Sequence, residues 1–279
     1  MANISVLGAG SWGLGLALLL NNNGHNVTVW SVLKDEVAML QAEREHKRCL
    51  PGVKIPDSIT ISGDTESVIS GADVLVLAVA SPYTRSTAKL IAPFVKEGQI
   101  IVNVAKGVEE HTLLTLCQIV EEEIPQAKVA VLSGPSHAEE VSIAIPTVLV
   151  VASKYDAVLK LVQDTFMCEK MRIYTSRDVK GVELGGALKN IIAFCAGVAA
   201  GLGLGDNTFA ALITRGLAEL SRLGVELGGQ KETLYGLSGL GDLIVTCLSE
   251  HSRNRKAGKL IGQGKTLEET KKEVGMTIE

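Results

Sequence analysis

The sequence predicts an α/β protein in two parts, an N-terminal doubly wound parallel sheet followed by a C-terminal domain built only of helices. Up to about residue 178, short β-branched runs alternate with helical patterns, the order that builds a parallel sheet with helices on both faces. Beyond that point the chain continues as helices separated by glycines, without a convincing strand. We therefore expect a sheet domain over residues 1–178 and a helical domain over residues 179–279.

The predicted strands are nearly continuous in apolar character, as expected for strands buried on both faces of a sheet. They span residues 4–7, 26–30, 59–62, 74–79, 100–104, 129–132 and 147–152. Helical patterns between them lie, for example, at 14–22, 86–95 and 112–122. Two capping boxes, Ser136 with Glu139 and Thr266 with Glu269, predict helix starts, because a hydroxyl and a carboxylate three residues apart satisfy each other's backbone N–H groups.

Composition limits the possible functions. The 279 residues include 27 Lys and Arg against 31 Asp and Glu, a formal charge of −4, which argues against a nucleic-acid partner because phosphate backbones are held by clustered positive charge. The five cysteines form no CxxC pair and no metal-ligand spacing, so we expect no metal and a reducing compartment. No signal-peptide pattern is visible, and residues 191–205, a long stretch without charged or amide side chains, are too short for a membrane span of roughly 20 residues. We expect a soluble, cytoplasmic protein.

A glycine-rich turn after the first strand is the strongest functional signal. Gly8-Ala9-Gly10-Ser11-Trp12-Gly13 follows strand 4–7 and opens helix 14–22. In this context the first glycine makes the turn, the second admits a pyrophosphate close to the backbone, and the third packs helix on strand. The pyrophosphate lies at the positive helix N-terminus. We predict a Rossmann-type dinucleotide site; the alternative is a tight turn without a ligand.

The residues after the second strand leave the choice of dinucleotide open. An acid there would bind a ribose 2′-hydroxyl, and an arginine would accept a 2′-phosphate. The chain reads Ser31-Val32-Leu33-Lys34, and neither Ser31 nor Val32 makes the choice. Lys34 could reach a 2′-phosphate, but it is also typical of a solvated helix start. NAD and NADP therefore both remain possible cofactors.

Lys189 stands just before an apolar segment without charge. Residues 191–205 carry no charge, and a helix that is apolar all round should be buried. Buried lysine is costly unless it is paired or neutral, and its neighbours one turn away, Gly185 and Ala193, leave room for a ligand. The alternative is a lysine that extends from a helix end to water. After a dinucleotide domain, we favour Lys189 as the acid that protonates an alkoxide formed by hydride transfer.

Three further polar clusters are candidates for substrate binding. Asp242 follows the glycine cluster 237–241 and could pair with Lys189 or bind a substrate hydroxyl, although it could also be a helix N-cap. Ser252, Arg253 and Asn254 could clamp a phosphate, although alone they would be typical of a solvated basic face. The cluster 133–138 follows strand 129–132, at the carboxyl end where open α/β sheets bind ligands.

Lys106 occupies the corresponding place after strand 100–104. Histidine is the usual rival for a proton donor, but the five histidines lie in no pattern that resembles a catalytic His/Asp pair. Two lysines, an aspartate, an arginine and a glycine-serine turn predict a small pocket that favours anions.

These motifs together resemble bacterial NAD(P)-dependent sn-glycerol-3-phosphate dehydrogenases along essentially the whole chain. The segments are GAGSWG (8–13), NVAKG (103–107), LSGPSHAEE (132–140), GALKNIIAFCAGVAAGLGLGDN (186–207), GLSGLGDL (236–243) and SRN (252–254). The resemblance implies reversible reduction of dihydroxyacetone phosphate to sn-glycerol 3-phosphate by NADH or NADPH for phospholipid synthesis. It also implies a cytoplasmic enzyme that is often a homodimer.

The resemblance implies roles for individual residues. The residues expected to contact the dinucleotide are those of the turn, Gly8, Gly10, Ser11, Trp12 and Gly13, together with Lys106, Ala138, Arg253 and Glu279. The residues expected to hold substrate are Lys106, Gly134, Ser136, Lys189, Asp242, Ser252, Arg253 and Asn254. Lys189 would be the acid/base, with Lys106 and Asp242 completing the catalytic set.

Two departures from the family pattern matter. The family often carries Arg where this chain has Val32, which weakens a preference for NADPH. The family chain also runs some tens of residues past Glu279, so we expect a chain cut short near the end of its helical domain.

Two other functions share features with this sequence. A β-hydroxyacid or 6-phosphogluconate-type dehydrogenase resembles this chain in domain order and catalytic lysine, but it would place Asn where Ala193 stands. A nucleotide-sensing regulator would keep the fold without the chemistry. The combination of Lys106, Lys189, Asp242 and Arg253 argues against the regulator.

Overall fold

A computed structural model describes residues 1–275 of the chain. The strands are β1 (Asn3–Leu7), β2 (Asn26–Trp30), β3 (Thr60–Ser62), β4 (Val74–Leu77), β5 (Ile100–Asn103), β6 (Lys128–Ser133), β7 (Thr147–Ser153) and β8 (Met171–Ser176). The helices are α1 (Ser11–Asn22), α2 (Lys34–Glu43), α3 (Thr65–Ser70), α4 (Thr84–Ile91), α5 (Leu116–Glu123), α6 (Ala138–Ser142), α7 (Asp156–Phe166), α8 (Val179–Gly201), α9 (Asp206–Glu226), α10 (Lys231–Leu234), α11 (Asp242–Leu248), α12 (Arg253–Gly262) and α13 (Leu267–Val274).

The chain divides into two compact units. The first comprises Met1–Leu132 with Ser136–Arg177, and the second comprises Ser133–Pro135 with the chain from Asp178 onward. The first unit contains the sheet, whereas the chain from Asp178 contributes only helices within the described residues. The predicted fold class, a doubly wound sheet followed by a helical part, is confirmed.

The strand order of the sheet is β3-β2-β1-β4-β5-β6-β7-β8. β1 lies between β2 and β4 and is parallel to both, and β2–β3, β4–β5, β5–β6 and β7–β8 are also parallel pairs. The order therefore reverses at β1, which makes the gap between the ends of β1 and β4 a topological switch point. Leu7 is in register with Trp30 and with Leu77, so the carboxyl ends of these three strands lie level at one edge.

Continuous apolar burial holds the sheet together. All four residues of β4 are buried, as are Gly13 through Leu20 of α1. Burying a Leu, Ile or Val side chain stabilises the fold by roughly 1.5–3 kcal/mol before entropy is subtracted. This two-sided burial explains why the sequence showed these strands as unbroken apolar runs.

The structure corrects several predicted elements. β8 was missed, because its burial alternates along Met171–Ser176 instead of being continuous. β4 ends at Leu77, two residues earlier than expected, and α4 ends at Ile91, followed by a 3-10 turn at Ala92–Phe94. α5 begins at Leu116 rather than at 112, because the preceding loop holds two non-glycine residues at positive φ, namely His111 and Leu113.

The two predicted capping boxes have different outcomes. The Thr266–Glu269 box is present at the start of α13. The box at Ser136 is wrong, because α6 begins one residue later with His137 as its N-cap. A capping box that the sequence reasoning missed joins Thr115 and Gln118 at the start of α5.

The helical unit is organised around α8. Its N-cap Asp178 accepts hydrogen bonds from the backbone N–H groups of Gly181 and Gln230, 2.8 Å each. α8 is also the one helix in the described chain that is long and apolar enough to cross a membrane by length and composition, and half of its most apolar window is buried inside the protein. The core helix of a water-soluble protein meets the same criterion.

Candidate active site

The turn after β1 has the geometry of a dinucleotide-binding turn. Gly8 has φ +119°, and a Cβ there would lie 2.8 Å from the carbonyl oxygen of Ala78, just past β4. A Cβ on Gly13 would overlap the carbonyl oxygen of Gly8. A Cβ on Gly10, in contrast, would meet nothing within 4 Å. The turn therefore passes closely between β1 and β4 while one glycine faces open space.

The N-terminus of α1 lies at this open position. Its N-cap is Gly10, which offers no side chain to the first backbone N–H groups. Such N–H groups and the helix dipole suit an anion. Ser11 and Trp12 are half-buried in the first turn, and the buried Nε1 of Trp12 has no hydrogen-bond partner. These features fit a bound dinucleotide, because Gly10 leaves open space, the start of α1 has free N–H groups, and Trp12 Nε1 has a proton to donate.

Three further predicted residues lie in the first unit. Lys106 follows β5, in a loop where Gly107 has φ +143°. Ser136 precedes α6, and Ala138 is the first residue of that helix. α6 packs against α1 so closely that a Cβ on Gly15 would lie 3.3 Å from the carbonyl oxygen of Ala138. This packing keeps Ala138 beside the helix that follows the glycine turn.

The segment after β2 is partly exposed and partly buried. Val32, where the family often has Arg, is 62% exposed, and Lys34 is exposed as the first residue of α2. Ser31 is buried directly after the strand. Its hydroxyl donates a hydrogen bond to Glu36.

The second unit contains a buried ion pair around Lys189. The Lys189 ammonium Nζ lies 2.5 Å from Asp242 Oδ1 and 2.6 Å from Thr246 Oγ1. Lys189 is 6% exposed and Asp242 is 1% exposed. A lysine that extends to water does not agree with this burial. Because an unpaired buried charge is very costly, these groups stabilise each other and hold the ammonium in one place.

Local backbone structure explains how the ion pair forms. A π-helical turn over Leu237–Gly241 leads into α11, so Asp242 is the first residue of that helix and Gly241 is its N-cap. Thr246 lies one turn further, on the same face, and its hydroxyl also donates to the Asp242 carbonyl oxygen at 2.6 Å. Gly185 has no side chain, and a Cβ there would lie 2.7 Å from the Ser238 carbonyl oxygen. The glycines therefore bring α11 against α8 beside Lys189.

The start of α12 carries the predicted phosphate-binding residues. Ser252 is its N-cap and accepts from the Arg255 N–H at 3.2 Å. Arg253 is half-buried, and the buried Oδ1 of Asn254 has no hydrogen-bond partner. A guanidinium, an unsatisfied amide and a helix N-terminus together suit a phosphate or hydroxyl ligand.

The remaining predicted site residues of this unit are Gly134 and Glu279. Gly134, at φ +138°, lies in the segment Ser133–Pro135, and a Cβ on Gly241 would lie 3.6 Å from Cδ of Pro135. This segment therefore approaches the turn that leads to Asp242. Glu279 lies outside the described residues.

Sequence reasoning missed two polar side chains near Lys189. Thr246 was hidden in an apolar run, although its spacing of four residues from Asp242 on a helix was a usable signal. Ser238 is buried with its hydroxyl unpartnered, and only the glycine-rich context hinted at a site there.

A cysteine near Lys189 is not activated as a nucleophile. Burial raises the pKa of the Cys247 thiol to about 11, against the smaller opposite influence of the Lys189 ammonium. Cys247 is therefore a neutral thiol near pH 7 and a poor nucleophile. Among residues 1–275, no group of three or more His, Cys, Asp or Glu side chains could hold a metal ion.

Comparison with known proteins gives a consistent result. The profile of the NAD-dependent glycerol-3-phosphate dehydrogenase N-terminus matches residues 3–159, and that of the C-terminus matches residues 178–279. A glycerol-3-phosphate dehydrogenase (NAD(P)+) of Agathobacter rectalis is 60% identical over 279 residues, all of this chain and 83% of that protein. One of Fusobacterium nucleatum is 54% identical, across all of this chain and 84% of that protein.

A solved structure agrees with these relatives. The crystal structure of glycerol-3-phosphate dehydrogenase from Coxiella burnetii is similar with a TM-score of 0.96 at 38% identity, covering 99% of this chain and 85% of that one. The resemblance inferred from the motifs is thereby confirmed. The chain belongs to the NAD-dependent glycerol-3-phosphate dehydrogenase family.

Proposed function

We propose that this protein catalyses the reversible reduction of dihydroxyacetone phosphate to sn-glycerol 3-phosphate, with NADH or NADPH as the reductant. The observation that supports this most strongly is the buried Lys189 ammonium, held by Asp242 and Thr246, in a chain whose first unit carries a dinucleotide turn. We further propose that the enzyme is cytoplasmic, forms a homodimer and supplies glycerophospholipid synthesis.

The proposed reaction transfers a hydride to the ketone carbon and a proton to the ketone oxygen. A reduced nicotinamide dinucleotide bound at the glycine turn would supply the hydride and would be oxidised in exchange. Lys189 donates the proton to the oxygen, and a positioned acid of this kind contributes about 10²- to 10⁴-fold in rate. Asp242 and Thr246 hold Nζ in place and favour the return of a proton to it.

The other predicted residues bind and orient. Gly8, Gly10, Ser11, Trp12 and Gly13 would hold the dinucleotide. Further cofactor contacts would come from Lys106, Ala138, Arg253 and Glu279. Substrate contacts would come from Lys106, Gly134, Ser136, Ser252, Arg253 and Asn254. Because the phosphate does not react, its binding energy can be used to orient the ketone.

The test is an assay of NADH and NADPH oxidation with dihydroxyacetone phosphate, using wild type and Lys189→Met. Methionine keeps most of the volume of the lysine but cannot donate a proton. We expect turnover to fall by about 10²- to 10⁴-fold, with the dissociation constant of the dinucleotide nearly unchanged. Lys272→Met, at an exposed position of α13, serves as the control. Turnover of Lys189→Met at the wild-type level would disprove the role of Lys189.

A further inference from the structure

Three side chains form a hydrogen-bonded group directly after β2. The Ser31 hydroxyl donates to Glu36 Oε2 at 2.5 Å, and His46 Nε2 lies 3.2 Å from Glu36 Oε1. Ser31 Oγ also accepts from the N–H of Leu33 at 3.2 Å. Glu36 comes from the first turn of α2, and His46 comes from the loop that follows this helix.

This group lies at the ligand edge of the sheet. Trp30, the last residue of β2, is in register with Leu7, and its carbonyl oxygen accepts from the Gly8 N–H at 2.9 Å. Ser31 therefore follows directly on a residue that contacts the glycine turn. In this topology, the end of the second strand is where the adenosine ribose of a dinucleotide is recognised.

The hydrogen bonds fix the orientation of the Glu36 carboxylate. His46 Nδ1 is 3.4 Å from the Cys49 N–H and accepts from it, so Nε2 carries the proton that is donated to Glu36. The Nε2–H group of His46 therefore orients the Glu36 carboxylate. The Glu36 side chain is 23% exposed, whereas that of His46 is 7% exposed.

A carboxylate at this place distinguishes the two dinucleotides. Ser31 contacts one Glu36 oxygen and His46 contacts the other, and a carboxylate offers about four lone-pair sites, so it can also accept from a ribose hydroxyl. A 2′-phosphate would bring a further negative charge against it. Lys34, the one cation in the segment 31–36, is exposed at the helix start.

We propose that Glu36, positioned by Ser31 and His46, is the residue that makes this enzyme prefer NADH over NADPH. The expected effect on kcat/KM rests on the proposed function. The expected effect on the dissociation constants of NADH and NADPH needs only the dinucleotide turn. Glu36 stands five residues after Ser31, in the first turn of α2, and not at the end of β2 where an acid for the ribose is usually found.

The experiment measures the dissociation constants of NADH and NADPH by fluorescence titration, and then kcat/KM for each with dihydroxyacetone phosphate. For wild type we expect the tighter constant for NADH. Glu36→Gln removes the charge and should lower the preference for NADH, measured as the dissociation constant of NADPH divided by that of NADH, by about tenfold, the equivalent of 1.4 kcal/mol. Asp35→Asn, an equal loss of charge at an exposed neighbour, should leave the ratio within about twofold.

Ser31→Ala tests the positioning role and replaces Glu36→Gln if that variant does not fold. It should shift the same ratio in the same direction, and it should add little in the Glu36→Gln background, because the two side chains act as one unit. A wild type that binds NADPH more tightly, or a ratio that neither variant moves, would overturn the proposal. If the binding ratio shifts but no ketone is reduced, the proposed function fails and this inference stands.

Discussion

Gly8, Gly10 and Gly13 are required at the turn for three different physical reasons. Gly8 needs a left-handed backbone at φ +119°, a region that other residues rarely adopt. Gly13 has no space for a side chain, because a Cβ would overlap the Gly8 carbonyl oxygen. Gly10 has a common φ of −68° and open space around it, so the fold does not require a glycine there, and we expect its lack of a side chain to serve a ligand.

This difference predicts opposite outcomes for two alanine substitutions. Gly10→Ala should leave the melting temperature nearly unchanged but weaken NADH binding by about tenfold or more. Gly13→Ala should lower the free energy of unfolding by about 1–3 kcal/mol through overpacking. Thermal unfolding and NADH titration of both variants check the pair. Normal NADH binding by Gly10→Ala would show that the open glycine does not face the cofactor.

At the scale of elements, α8 and α12 pack against each other closely because each helix contributes glycines to the contact. A Cβ on Gly197 of α8 would overlap the carbonyl oxygen of Arg255, and a Cβ on Gly258 of α12 would overlap that of Phe194. Gly201 and Gly262 make equivalent contacts one turn further. Because the two backbones touch, the distance between Lys189 on α8 and the polar start of α12 is set by these glycines.

Gly197→Ala should therefore push α12 away from α8. We expect the free energy of unfolding to fall by about 1–3 kcal/mol, measured as a lower urea midpoint with an unchanged m-value. We also expect a higher KM for dihydroxyacetone phosphate. Gly63→Ala is the control, since its added methyl would make only ordinary contacts at 3.5 Å or more. A substrate KM equal to wild type in Gly197→Ala would show that the spacing does not matter for binding.

At the scale of the whole molecule, the excess of acidic residues includes one dense cluster. Arg85 of α4 contacts Glu109 through Nε at 2.6 Å and through Nη2 at 2.8 Å, and its Nη1 contacts Glu123 of α5. Glu109 lies in the loop after Lys106. The Arg85 guanidinium lowers the pKa of Glu109 to about 2. Glu109 therefore remains charged and paired far into the acid range.

The lowered pKa of Glu109 contributes to the pH dependence of stability. Since the folded pKa lies below the unfolded value, the pair stabilises the fold fully above about pH 4.5 and loses this effect as the pH falls towards about 2. The difference in unfolding free energy between wild type and Glu109→Gln should be constant near neutral pH and shrink across that window. Glu110→Gln is the control. A difference that grows as the pH falls would contradict this assignment.

Several features of this protein follow from the sequence alone. Because β1, β2, β4, β5 and β6 are buried on both faces, they appear in the sequence as nearly continuous apolar runs. The glycine turn is recognisable because its steric demands fall within six residues. β8 shows what this reasoning misses, because a strand with alternating burial, such as Met171–Ser176, has no continuous run to detect. The family, too, was recognisable from short motifs.

Only the tertiary structure decided how distant residues combine. The sequence left Asp242 as a partner of Lys189, a substrate ligand or a helix cap, and packing of α11 on α8 brings its carboxylate to the ammonium across 53 residues. It showed no acid for the ribose after β2, and the fold brings Glu36 there from the next helix, oriented by His46. The physical reason is range: local patterns encode backbone conformation over one or two turns, whereas charge pairing depends on where packed helices place their side chains.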